Sequence, residues 1–165
     1  MKLLSMTAVA LLIDISVSLQ VIDNDPAFRR EPKLPVLDSN FGLDCDTPLS
    51  YNSDTVRAAA EKAYISTQNA AISSLETCTF DRFPGETLFL QHIGGDYMES
   101  VGVYAYHYIL INSSGQFLAG LRSYQITYRI EHVVCRFMPG TIFTSYENSR
   151  RLDTFGDQRY YGSGY

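Results

Sequence analysis

The chain has 165 residues, a formal net charge of −5, 45% hydrophobic residues, 12 Tyr, 9 Phe and no Trp. That length suits one domain. The apolar fraction excludes wholesale disorder, and the acidic balance argues against gripping nucleic acid chiefly by counterion release. Three cysteines, Cys45, Cys78 and Cys135, are too few for a disulfide-dense scaffold and lack zinc-ligand spacing, which leaves an odd count to explain.

Met1-Lys2-Leu3-Leu4 places one positive charge ahead of an apolar run from Met6 to Ile15, interrupted by Asp14. Ser16-Val17-Ser18 then supplies small residues at a cleavage site. This order predicts a secretory signal over residues 1–18 and a mature start near Leu19. The run is too short for a spanning helix, and no other segment is long and apolar enough, so no membrane association is expected once the signal is removed. Residues 19–44 are polar, carry Pro26, Pro32 and Pro35, and show no period. They are expected to form an extended arm or pro-segment. Arg29-Arg30 within it reads either as a dibasic processing site or as a solvated loop pair.

The clearest helix spans residues 53–67. Val56, Ala59, Ala60, Ala63 and Tyr64 fall at helical spacing on one stripe. Ser53 is the expected N-cap, with Asp54 favourable in the positive first turn. The small alanines suggest close packing on a sheet. After Ser73 the pattern becomes β: a short strand at Thr87–Leu90, a long one from Val101 to Asn112, another from Phe117 to Arg122, and a last from Ile126 to Phe137. The turn cluster Asn112-Ser113-Ser114-Gly115 joins the middle two. One helix followed by sequential strands predicts an α+β fold, with an N-terminal helix packed on an antiparallel sheet of about four to five strands. The domain is expected over residues 45–138, followed by a loosely ordered tail over residues 139–165.

An oxidising compartment permits one bridge and one leftover thiol. A Cys45–Cys135 bridge would tie the two ends of the domain together, worth about 4–5 kcal/mol in the chain-entropy limit. Cys45–Cys78 is the alternative pairing. Asn112-Ser113-Ser114 is an N-glycosylation sequon at a turn.

Particular residues carry a resemblance. Cys45-Asp46, Ser53-Asp54-Thr55-Val56 opening an alanine-rich helix, the stretch Ile109-Leu110-Ile111-Asn112-Ser113-Ser114-Gly115-Gln116-Phe117-Leu118-Ala119-Gly120-Leu121, and Val134-Cys135 together are similar to the guanyl-specific fungal ribonucleases. The likeness covers roughly Cys45 to Cys135. It implies a microbial-ribonuclease-like fold and makes Cys45–Cys135 the natural pair. Cleaving RNA through a cyclic phosphate needs a base, an acid and a cation on the developing phosphorane. The family uses Glu, His, a further His and Arg. Here one histidine position holds Gly85, the Arg position falls at Tyr108 beside His107, and the catalytic His position falls near Ser123 or Tyr124. Glu99 and His107 remain as residual candidates. Glu131 and His132 are adjacent on a strand and point to opposite faces.

With the catalytic histidines missing, the chain resembles the ribonuclease-like secreted effectors of powdery mildew fungi. Their aromatic-x-Cys position corresponds to Leu43-Asp44-Cys45, with Leu in place of the aromatic. The resemblance implies a monomer secreted and translocated into plant cells. There it would act as a virulence or avirulence effector, binding a host plant protein, with an immune receptor among the candidates. RNA is a weaker candidate ligand, and no metal or cofactor is expected. The alternative is an active secreted ribonuclease. Tyr104, Tyr106 and Tyr108 alternate on one strand face and, with Arg122, form the expected binding face. Charge supports protein over RNA. Residues 45–120 hold three basic and eight acidic residues, and only residues 121–165, with six basic and four acidic, could offer a basic face.

Overall fold

A computed structural model describes residues 19–21, 31–69 and 75–146. The expected signal segment, Arg29-Arg30 and the tail beyond Tyr146 lie outside the described residues. Among the described residues the fold is α+β, with one helix and a six-stranded sheet as its main parts. In chain order the elements are β1 (Leu19–Val21), β2 (Lys33–Pro35), β3 (Gly42–Asp44), β4 (Ser50–Asn52), α1 (Ser53–Gln68) and β5 (Thr77–Phe80). There follow β6 (Leu88–Met98), β7 (Val103–Ile111), β8 (Phe117–Ile126), β9 (Arg129–Val134), β10 (Arg136–Phe137) and β11 (Phe143–Ser145).

The main sheet runs β1-β5-β6-β7-β8-β9. Only β1 is parallel to its neighbour. The sheet curls until β1 meets β9, so its two edges approach across a concave face. Two small sheets accompany it: β10-β3-β4 packs with the helix on the convex side, and β11-β2 lies against the concave core.

Helix α1 forms where the stripe places it, but its N-cap is Asn52, whose side chain accepts a hydrogen bond from the Thr55 amide. Ser53 is the first helical residue instead. Val56, Ala60 and Ala63 bury the stripe against Leu43, Tyr51, Ile109, Ile111 and Phe117 on the convex face of the sheet. The concave face has its own core at one end: Val21, Leu34, Phe80, Phe83, Leu88, Leu90, Leu110, Leu121 and Tyr146.

The described parts of residues 19–44 are built into the domain rather than forming an arm. Val21 and Leu43 are fully buried, with Leu34 and Phe41 nearly so. Strands of three residues are too short to display a period, which hides them in the sequence. Likewise β11 pairs with β2, and Tyr146 is buried, so the domain runs past residue 138. The expected last strand is broken by a turn at Thr127-Tyr128 and ends as two pieces, β9 and β10. Strand β6 is far longer than expected, and a bulge between His92 and Gly94 carries it past Gly94-Gly95.

Candidate functional site

Cross-strand partners in an antiparallel pair share a face, and alternate residues point to opposite faces. The register therefore sorts the candidates. Tyr108 lies opposite His92 on one side and Leu121 on the other, Tyr106 lies opposite Ser123, and Ser123 lies opposite His132. These residues occupy the concave face. His107 lies opposite Gly94 and Arg122, on the convex face that α1 covers.

Arg122 consequently does not join the expected binding face with Tyr104, Tyr106 and Tyr108. It points to the opposite side, where its Nη1 donates to the Cys45 carbonyl at 2.9 Å and pairs with Asp46 at 2.7 Å. The Arg122 guanidinium, by hydrogen bond and charge, holds the Asp46 carboxyl below the usual range. Arg136 adds a second cation to Asp46 at 3.2 Å. This cluster sits on the Cys45–Cys135 disulfide, which the structure contains. Cys78 is the free thiol, fully buried on β5, and burial, then the nearby Glu76 charge, pushes it up to about 12.

Glu99 and His107 are not assembled as a pair. Glu99 is exposed in the turn after β6, lining a shallow depression with Asp44, Asp46, Thr47, Pro48 and Ser100. His107 is 0% exposed, and its Nδ1 shares a 2.8 Å hydrogen bond with the Tyr51 hydroxyl. Burial lowers its pKa, Asp96 opposes that, and Arg122 and then His92 add to the lowering. A sealed, neutral imidazole cannot exchange protons with a substrate. Gly94 makes this contact possible, because a Cβ there would lie 2.5 Å from the Tyr51 hydroxyl.

Asn112 is also differently placed from the glycan site its sequon suggests. It is 3% exposed. Its Nδ2 donates to Gln116 Oε1, and its Oδ1 accepts from the amides of Ser114 and Gln116. The side chain builds the hairpin turn, and its amide nitrogen is committed within the folded chain.

The concave face beyond the apolar core opens as a shallow mouth of aromatic and titratable groups. Tyr104 and Tyr106 rings lie 5.2 Å apart, and His92 lies 6.1 Å from Tyr106 and 5.5 Å from Tyr108. Ser123 Oγ and His132 Nδ1 share a 2.7 Å hydrogen bond. Burial lowers the His132 pKa, against the opposing charges of Glu76 and Glu131. Tyr108 is raised by burial and then by Glu76 and Tyr106. The Glu76 carboxylate thus acts on both sides of the mouth. Glu76, His92, Ser123 and His132 escaped sequence reasoning as site residues. A two-residue turn at Thr127-Tyr128 was the available signal, since it places residue 132 opposite residue 123.

Chemically, the mouth offers stacking surfaces, phenol hydroxyls, two imidazoles and a carboxylate. The arginines of β8, β9 and β10 do not serve it: Arg129 pairs with Glu131 at 2.9 Å, and Arg122 and Arg136 belong to the Asp46 cluster. Among the described residues, no His, Cys, Asp or Glu group of three or more is arranged to hold a metal ion, and no helix is long and apolar enough to cross a membrane. No family model, curated protein or solved structure matches the chain.

Proposed function

We propose that this chain is a secreted fungal effector with a catalytically inactive ribonuclease-like fold, acting in a plant host by binding a host protein. The observation that carries the reading is the sorting of side chains across β7 and β8. His107 and Arg122, the groups suited to phosphate chemistry, face α1 and are consumed in structural contacts. The tyrosines face outward: Tyr104 is 50% and Tyr106 52% exposed. Exposed tyrosines beside a polar rim have the character of a protein-binding surface. Of the basic residues in 121–165, Arg122, Arg129 and Arg136 are ion-paired, which weakens their appeal to RNA, while Arg150, Arg151 and Arg159 lie outside the described residues. Secretion and entry into the host rest on the signal-like N-terminus and on the family resemblance.

One observation favours the alternative of an active ribonuclease. Glu76 precedes β5, two residues before the concave-core Cys78, and its carbonyl accepts from the Leu90 amide. Its charge opposes the lowering of the His132 pKa by burial, so a carboxylate and an imidazole share one face. Incubation of the full chain with RNA separates the readings. The binding reading expects no cyclic-phosphate product above a no-protein control. Product formation abolished by Glu76→Gln or His132→Ala would overturn it and install the enzyme.

A further inference from the structure

The outer half of the concave face is a continuous aromatic row, and among the described residues no arginine ion pair or ring contact reaches it. Tyr104 contacts Tyr106, Tyr106 contacts His92, and His92 contacts Tyr108. Across β6, Tyr97 lies opposite Tyr104 and is itself 51% exposed. Successive tyrosines on β7 repeat every two residues, about 6.4–6.8 Å, which is also the same-face repeat of an extended peptide. The inner end of the row feels the Glu76 carboxylate, and the whole chain carries −5. Arg122, Arg129 and Arg136 point to the convex side or the disulfide end and are ion-paired.

We propose that the row Tyr104-Tyr106-His92-Tyr108 receives an extended, arginine-bearing segment of a partner protein, its guanidinium groups lying against the tyrosine rings. The proposal rests on the protein-binding reading above and names the partner chemistry. The negative face of an aromatic ring attracts a cation, and Arg adds planar stacking that Lys lacks. The acidic field steers a basic segment toward the mouth. A nucleic-acid strand finds stacking rings there but meets a carboxylate where its phosphates need cations. The bulge and Gly95 keep the row open. A Cβ at Gly95 would lie 2.8 Å from Tyr104 Cε1 and 2.5 Å from the Ala105 carbonyl, so a side chain there would displace the ring.

The test is calorimetric titration of the full chain with three probes: an acetylated octapeptide alternating Arg and Gly, its Glu and Gly counterpart, and a uridine octanucleotide. The Arg peptide is expected to bind and the other two to bind at least about tenfold more weakly. Tyr104→Ala and Tyr106→Ala should each weaken the Arg peptide about two- to fivefold. Tyr106→Phe should restore it, and Tyr51→Phe on the opposite face should leave it unchanged. Three outcomes overturn the proposal: no binding of the Arg peptide at millimolar concentration, equal binding of the Glu peptide or the oligonucleotide, or indifference to both alanine variants. Binding of the Glu peptide through the same tyrosines removes the cation assignment and leaves the protein-binding reading standing. Cyclic-phosphate formation from RNA removes that reading itself.

Discussion

The two faces of β7 differ by one residue in register and by everything in environment. On the convex side, Ala105, His107, Ile109 and Ile111 are completely buried beneath α1 and β4. On the concave side, Tyr104 and Tyr106 stand half exposed and Tyr108 is partly buried, before the row passes into the apolar core at Leu110. A polar group on the first face is spent on stability. There His107 is fully buried and held by a hydroxyl, and Arg122 is largely buried and held by a carbonyl and a carboxylate. On the second face, residues of similar type are held loosely enough to meet a partner. The strand teaches that residue type alone does not mark a site; the side of the sheet does.

The comparison breaks most visibly at the disulfide, which secures the convex side. Cys45→Ala with Cys135→Ala should cost about 4 kcal/mol, because the bridge closes a loop with a sequence separation of 90. Urea unfolding checks this, and a loss below about 1 kcal/mol would show that the Arg122–Asp46 cluster alone holds β3 to β8. Next, Tyr51→Phe should cost about 1–2 kcal/mol by stripping a buried imidazole of its partner. Tyr106→Ala, on the exposed face, should stay within about 0.5 kcal/mol of the parent. Equal losses in the two variants would erase the distinction between the faces.

Stability should also fall with acid on the pH scale where histidines titrate. The folded pKa values of His107 and His132 lie below the ordinary 6.5 because burial disfavours the charged ring. The unfolded chain then binds more protons, so stability is full above pH 6.5 and is lost as pH falls toward the folded values. Urea midpoints at pH 7.5 and 5.5 measure this, and His107→Leu should flatten part of the slope. A midpoint that rises with acid would contradict the burial. A modest gain belongs to Thr127, whose φ of 56° is costly for a β-branched residue. Thr127→Gly should stabilise the β8–β9 turn by up to about 1 kcal/mol, read from the same unfolding curves.

The helix and the β7–β8 hairpin were legible because each carries a period longer than its own ends. Val56 to Tyr64 repeats helically, and Val103 to Ile111 alternates. The end-to-end bridge was legible from chain order. The extent of β6 was not, because Gly94-Gly95 reads as a break, whereas in the fold Tyr51 and Tyr104 occupy the space that side chains there would fill. Arg122 was placed on the wrong face because its side depends on the exact register set by the Asn112–Gln116 turn and the shift at Leu110/Ile111. Glu76 and His132 lie far apart in sequence, and only the curl of the sheet brings them to one mouth.

Sealing Cys78 inside β5 has a consequence for the order of folding events. In the unfolded chain, Cys45 meets Cys78 across a much shorter loop than it meets Cys135, an entropic advantage of about four- to fivefold. The native pairing therefore depends on the strand being covered before oxidation is complete. Pairing of β5 with β6 and β1 hides the thiol and raises it to about 12, which withdraws the thiolate that exchange requires. The sheet acts as a proofreader for its own crosslink: the wrong partner is removed by burial, and the right one is left as the only sulfur within reach.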